Sequence, residues 1–299
     1  MKPSDRSLRS LDVRFWGVRG SIPVPGKNTT RFGGNTSCVE IRYGSQVLVL
    51  DAGTGIRALG AALLSEYGSA AMELDVLLSH LHWDHIQGFP FFQPLYEPGN
   101  RIRVFGPAAG RMSLRAAFHR QMQSPWFPVD LRRLPSCPTF CEAESRSFKI
   151  GAFQVTPIRV NHPDGCLGYR LSAPGASVAY LPDCELSKRL PRQPRPVLLD
   201  RDLKSFVRGV DLLILDSQYD ISEYPRHAGW GHGCLEDMVA LACRARVKQL
   251  QLFHHDPDHG DRIIAQRLRR AREIARSLGS ALHVEAAREG ATVVLPAAL

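Results

Sequence analysis

Nowhere in the 299 residues is there an apolar run approaching the roughly 18 residues that a membrane-spanning helix needs. The opening stretch MKPSDRSLRSLDVRFW holds no apolar segment of the kind a secretory leader requires. Together these absences lead us to expect a cytoplasmic protein with no membrane association. Cysteine is sparse as well: 7 residues, an odd number, never in a C-x-x-C pair. That usage speaks against a zinc knuckle or a disulfide framework and suggests buried thiols in a reducing compartment. No G-x-S-x-G elbow occurs, so the serine nucleophile of that motif is missing. Low-complexity tracts and alignable repeats are also lacking.

The remaining composition is ordinary. Hydrophobic residues make up 44% and charged residues 22%, which predicts a sizeable core. Length alone suggests about two domains. The net charge of +9 favours phosphate-bearing partners. The arginine-rich stretch DRIIAQRLRRAREIARSLG nevertheless reads more simply as the solvated face of a helix than as a nucleic-acid groove.

Short strand patterns alternate with Gly and Pro along the chain: VRFWG, CVEIRY, QVLVLD, LDVLLS, RIRVFG, FQVTPIRV, CLGYRLS, SVAYLP, DLLILD, KQLQLF and TVVLP. Helical periodicity is clearest in IRALGAALLSEY, LEDMVALACRA and the stretch after His259. PRQPRP, residues 191–196, reads as a basic surface loop. The Pro- and aromatic-rich segment 121–141 reads as a loop over a pocket or as irregular packing. LVLDAGTGIRALG has the outline of a dinucleotide fingerprint. The next strand pattern, ELDVLLSH, carries its acids at the start and not at the end where a ribose would need one. Nicotinamide binding is therefore not expected.

That same strand ends in SHLHWDH. His80 and His82 lie two apart in an extended segment, so both imidazoles can reach one ion. Asp84 and His85 are adjacent, open a predicted helix and diverge from that pair, which suits a second ion. Four ligand-type residues in six positions are hard to explain as a chance surface cluster. They under-coordinate two metals, however, so further ligands must come from elsewhere. Three more strand patterns end in a suitable residue: His162 in RVNHPDG, Asp183 in AYLPDCE, and His254 or His255 in LFHHDP. Polar groups gathered at strand ends form a mouth on one side of a sheet. Residues 80 through 254 would then share one site, which predicts a single domain over 1–299.

His80-x-His82-x-Asp84-His85, followed in order by His162, Asp183 and His254, resembles the motif set of the metallo-β-lactamase superfamily. More narrowly, the chain is similar to the phosphodiesterase branch that includes ribonuclease Z and class II cyclic-nucleotide phosphodiesterases. The stretches RFWGVRGSIPVPG, GGNTSCVEI, LVLDAGTG, DLLILDSQYD and GWGHGCLEDMVALA carry that likeness over most of the chain. The resemblance implies an α/β, four-layer αβ/βα sandwich with a two-metal site at one edge between the sheets. It implies that His80, His82 and His162 hold one ion, that Asp84, His85 and His254 hold the other, and that Asp183 bridges them. The family's leucine-x-histidine pattern matches LFH and selects His254 over His255. By the same likeness Asp51 orients a ligand imidazole, His232 transfers protons and Asp216 pairs with it. The departures lie in Asp216-Ser217, where the family has Glu-Ala-Thr, and in Gly233-Cys234, where it has Ser-Thr.

Imidazole and carboxylate donors suit zinc, with manganese or iron as substitutes. Two ions can activate a shared water at neutral pH and stabilise charge on phosphoryl oxygens, with Asp84 and His232 as the catalytic residues. Ribonuclease Z carries a tRNA-gripping arm between the third histidine and the bridging aspartate. Here that interval, PDGCLGYRLSAPGASVAYLP, has room for about one hairpin. The expected activity is therefore hydrolysis of a small phosphodiester, with cyclic nucleotides leading. A tRNA 3′-processing endoribonuclease and a non-catalytic nucleotide- or RNA-binding relative are the alternatives. β-Lactam hydrolysis is not expected, because such an enzyme would normally be exported. The resemblance allows a homodimer.

Overall fold

A computed structural model describes residues 10–108, 110–144, 146–190 and 196–296. Its strands are β1 (Ser10–Gly17), β2 (Cys38–Tyr43), β3 (Gln46–Leu50), β4 (Glu73–Leu77), β5 (Arg101–Gly106), β6 (Thr139–Glu142) and β7 (Phe148–Ile150). They continue with β8 (Phe153–Val160), β9 (Cys166–Ala173), β10 (Ala176–Leu181), β11 (Leu212–Asp216), β12 (Gln249–Phe253), β13 (His283–Ala286) and β14 (Thr292–Pro296). The helices are α1 (Ile56–Tyr67), α2 (Trp83–Ile86), α3 (Leu114–Gln121), α4 (Asp200–Phe206), α5 (Leu235–Arg244) and α6 (Asp261–Ser277). None of them is long and apolar enough to cross a membrane.

The strands form two seven-stranded mixed sheets, ordered β14-β1-β2-β3-β4-β5-β6 and β13-β12-β11-β10-β9-β8-β7. Period-two alternation explains how they face each other. Leu11, Val13 and Phe15 of β1 point inward and meet Phe153, Val155, Tyr169, Tyr180 and Phe253 of the other sheet in one apolar layer. Helices cover the outer faces. α1 and α3 bury Ile56, Leu59, Leu63, Leu114 and Phe118 on the first sheet. α5 sets Leu235, Met238, Val239 and Ala242 against the second, and α6 adds Ile264, Leu268 and Ala271. Strand β11, LLILD, is buried along its whole length because it runs parallel between β10 and β12 with both faces covered. This is the αβ/βα sandwich expected from the sequence.

The three unanticipated strands are all at sheet ends: β6 closes the first sheet, and β7 and β13 close the second. Each is three or four residues long and partly exposed, too short for a hydrophobic alternation to stand out as a strand. Helices α3 and α4 were also missed; α4 buries only Leu203. The thiol expectation needs correction at three positions. All seven cysteines are free, but Cys137 and Cys141 are exposed and Cys243 is only half-buried. The solvated arginine face holds for most of α6, with Arg267 as the exception. It is buried, ion-pairs with Glu223 at 2.8 Å and donates to the Ser217 carbonyl at 2.7 Å. The basic stretch 191–196 lies, apart from Pro196, outside the described residues.

Candidate metal centre

The residues singled out in the sequence gather at strand C-termini. Asp51 follows β3, His80 follows β4, His162 follows β8, Asp183 follows β10, Asp216 ends β11 and His254 follows β12. Both sheets therefore contribute, and their main chains touch here: Leu167 N donates to Ser79 O at 2.8 Å, and His255 N to Val18 O at 3.0 Å.

Asp183 sits at the middle. Its Oδ2 lies 3.4 Å from His80 Nε2 and 3.6 Å from His162 Nε2. Its Oδ1 lies 3.3 Å from His85 Nε2 and 3.1 Å from His254 Nε2. His82 presents Nδ1 at 3.1 Å from His162 Nε2. Asp84 Oδ2 is 3.2 Å from His85 Nε2 and 3.1 Å from His254 Nε2. Donor atoms within 4.8 Å of one another form the groups His80, His82, His162, Asp183 and Asp84, His85, His254. A third, overlapping group joins Asp183, His232 and His254. His255 is elsewhere: its ring bonds the Ala287 carbonyl at 3.0 Å.

The outward-facing ring nitrogens are anchored, which fixes ring orientation. Asp51 Oδ2 takes the His85 Nδ1 hydrogen bond at 2.7 Å and also accepts from Ser79 Oγ and Tyr180 Oη, while its Oδ1 accepts from Ser79 N. His162 Nδ1 bonds the Gly231 carbonyl at 3.1 Å, and His254 Nδ1 bonds Gln218 Oε1 at 2.8 Å. Asp51 and His254 both adopt left-handed φ values, 59° and 58°, unusual for side-chain-bearing residues. His232 Nδ1 faces Asp216 Oδ2 at 3.1 Å, and its ring centroid lies 5.0 Å from that of His254.

Charge is partitioned across the cluster. Burial pushes His80 well below the usual imidazole range, and the neighbouring histidines reinforce this. Burial would also lower His85, but Asp84, Asp183 and Asp51 outweigh it and raise the ring well above that range. Despite burial, His85 and His254 hold Asp84 well below the usual carboxylate range, and His254, His85 and His80 do the same for Asp183. Burial likewise opposes protonation of His232, yet Asp216 overrides it and pushes the ring up to about 9.

A family model described as the beta-lactamase superfamily domain matches residues 46–255. The chain belongs to the metallo-β-lactamase superfamily. It is 29% identical over 220 residues to an uncharacterised Mycobacterium tuberculosis protein, covering 70% of each chain. It is 24% identical over 287 residues to the ribonuclease Z of Natronomonas pharaonis, covering 82% of this chain and 87% of that one. Unliganded yeast PDE1 shares the fold, with a TM-score of 0.67, 14% identity and coverage of 96% of this chain and 100% of that one.

The metallo-β-lactamase fold implies divalent metal ions, and the donor atoms of this superfamily member fit them. His80 Nε2, His85 Nε2 and Asp183 Oδ1 are buried without a hydrogen-bond partner among the described residues, although carboxylate or imidazole atoms stand within 3.4 Å. Buried polar atoms are normally paired. Here lone pairs converge on shared space instead of on donors, as cation ligands do. No cysteine sulfur belongs to any of the donor groups among the described residues.

Two residues beyond the sequence reading complete the surroundings. Gln218 fixes His254 and itself donates to Asp256 at 2.9 Å. Buried Glu185 accepts from Gly229 N at 2.9 Å and Gly231 N at 2.8 Å, and so secures the loop leading to His232. Glu185 lies two residues after Asp183, and that proximity was the available signal. Beside His80 and His82 opens a cleft of about 840 Å³ lined also by Trp83, Arg120, Gln121 and Trp126. Part of segment 121–141 is thus a pocket wall.

Proposed function

We propose that this protein is a two-metal phosphodiesterase, one hydrolase domain whose substrate is a small phosphodiester, with cyclic nucleotides first. The observation that carries the reading is the His232–Asp216 pair set beside a divided donor cluster, because phosphodiester hydrolysis must protonate a departing alkoxide. His80, His82 and His162 would hold one ion and Asp84, His85 and His254 the other, with Asp183 shared between them. Zinc suits these nitrogen and oxygen donors, with manganese or iron as substitutes. Bound there, divalent metals supply Lewis acidity that polarises phosphoryl oxygens and makes water nucleophilic near pH 7.

The chain's own groups do the rest. Asp84 accepts a hydrogen bond from the attacking water and holds it in line with phosphorus. His232 gives its Nε2 proton to the leaving oxygen while Asp216 retains Nδ1–H. Glu185 fixes the preceding loop so that the imidazole keeps its aim. The net charge of +9 favours anionic substrates.

Relatives named ribonuclease Z support a second reading, a tRNA-processing nuclease. Against it, the interval from His162 to Asp183 is consumed by the β9–β10 hairpin, which turns at Pro174–Gly175 and leaves no gripping arm. Elemental analysis should approach two transition-metal ions per chain. The metal-loaded enzyme should then cleave bis-p-nitrophenyl phosphate and a cyclic nucleotide or cyclic dinucleotide faster than a pre-tRNA. A folded protein that takes up at most one ion, or that cleaves only the pre-tRNA, would overturn the proposal.

A further inference from the structure

The cleft beside the ligands carries features that a phosphate alone does not need. Trp126 and Trp83 are 76% and 65% exposed, although both line it. The Trp126 backbone is nonetheless fixed: Trp126 N and Phe127 N both donate to the Gln123 carbonyl, and Phe127 packs edge-on against Phe91 at 5.6 Å. Its indole is therefore presented on a held loop. Arg120, on the last turn of α3, has no ion-pair or hydrogen-bond partner among the described residues. Gln121 is only 9% exposed and donates from Nε2 to the Ile86 carbonyl at 2.8 Å, which ties down the end of α3. One wall thus offers an aromatic face and free guanidinium donors. An anion would use only the donors, and an apolar ligand only the indoles. A nucleobase uses both, because it has a π-face and an edge bearing acceptors.

The geometry points to this cleft as the nucleobase subsite of the substrate, with the base stacked on Trp126 and an acceptor on its edge met by Arg120. The inference rests on the phosphodiesterase reading for its place beside the metals and adds which part of the substrate is recognised. It predicts that the enzyme discriminates nucleotides from base-free phosphodiesters. Base–indole stacking is worth roughly five- to 100-fold in affinity.

Binding is measured on the metal-loaded full chain with adenosine 5′-monophosphate and ribose 5-phosphate by titration calorimetry. The nucleotide should bind roughly tenfold or more tightly, Trp126→Ala should abolish that preference and Trp126→Phe should keep most of it. Since Trp126 is largely exposed, neither variant threatens the fold. Equal affinities in the wild type, or a preference that survives Trp126→Ala, overturns the subsite. A kinetic arm compares the p-nitrophenyl ester of thymidine 5′-monophosphate with methyl p-nitrophenyl phosphate, which share a leaving group. The kcat/KM ratio should fall about tenfold in Trp126→Ala, and an unchanged ratio counts against the subsite. If neither ester is hydrolysed, the phosphodiesterase reading fails while the binding arm still decides the subsite.

Discussion

Two glycines in one short loop provide a matched pair of perturbations. Gly229 and Gly231 both have φ near +90°, at 87° and 89°, where any side chain pays for a left-handed backbone. A Cβ on Gly229 would meet nothing within 4 Å among the described residues. A Cβ on Gly231 would lie 2.2 Å from His162 Nδ1 and 2.5 Å from the Pro163 ring. Gly229→Ala therefore carries the backbone cost alone, about 1–2 kcal/mol. Gly231→Ala adds a collision that the packed surroundings relieve only by moving, about 1–3 kcal/mol more. For a chain of this size that corresponds to a fall in Tm of about 2–4 °C for the first variant and about 4–10 °C for the second.

The more telling difference is functional. Relief of the collision must push the His162 ring off the Gly231 carbonyl, its orienting partner at 3.1 Å. Losing such a partner typically costs about 10–100-fold in metal affinity. Thermal melts of chelator-treated protein give the stability difference, and equilibrium dialysis against buffered zinc gives the affinity. Gly229→Ala should retain the wild-type zinc affinity, and Gly231→Ala should lose one ion first. If the two variants bind zinc alike, the placement of His162 in this site is wrong.

Other outcomes follow from individual side chains. Asp84→Ala should lose the second ion and reduce kcat by orders of magnitude while circular dichroism stays unchanged; near-normal turnover would remove the motif from the reaction centre. His232→Ala should slow hydrolysis of a nucleotide diester by about 10²–10⁴-fold and that of bis-p-nitrophenyl phosphate far less, with metal content unchanged, because p-nitrophenolate leaves without a proton. Equal losses on both substrates would indicate charge stabilisation instead. Burial, aided by Arg19, Arg267 and His259, pulls His255 down to about 3 from 6.5. Between those pH values the unfolded chain holds a proton that the folded chain refuses, so this group's contribution to stability falls as pH drops through that window. His255→Gln should therefore flatten part of the acid limb of a stability-versus-pH curve, and an unaltered limb would contradict the assignment.

The site was more legible than the scaffold's edges, for a physical reason. Metal ligation demands particular atoms at particular strand ends, so SHLHWDH and the three later candidate ligand positions mark themselves in the sequence. Buried strands are equally plain, since β11 needs apolar side chains on both faces. Edge strands such as β6, TFCE, pair on one side only and expose most of their side chains, so water tolerates almost any residue there. Gln218 and Glu185 were missed because their work is done through a ring nitrogen and two backbone amides. A glutamine or glutamate earns no motif by such contacts, and only the folded arrangement reveals them. Arg267 misled for the opposite reason: it sits among solvated arginines, and only tertiary packing distinguishes it.

The candidate ligands divide between the two sheets. His80, His82, Asp84 and His85 come from the end of β4, and His162, Asp183 and His254 from the ends of β8, β10 and β12. Along most of the sandwich the halves are held by apolar contact, which yields gradually, but at this edge cations would fasten them. Ligand binding to the folded state alone stabilises it by RT ln(1 + [L]/Kd), and here that energy concentrates on one seam. The seam also contains the main-chain bond from Leu167 to Ser79. Metal occupancy would then govern local opening as well as chemistry. The amides along this edge would exchange with solvent according to free metal concentration, whereas those of the central apolar layer would follow global unfolding.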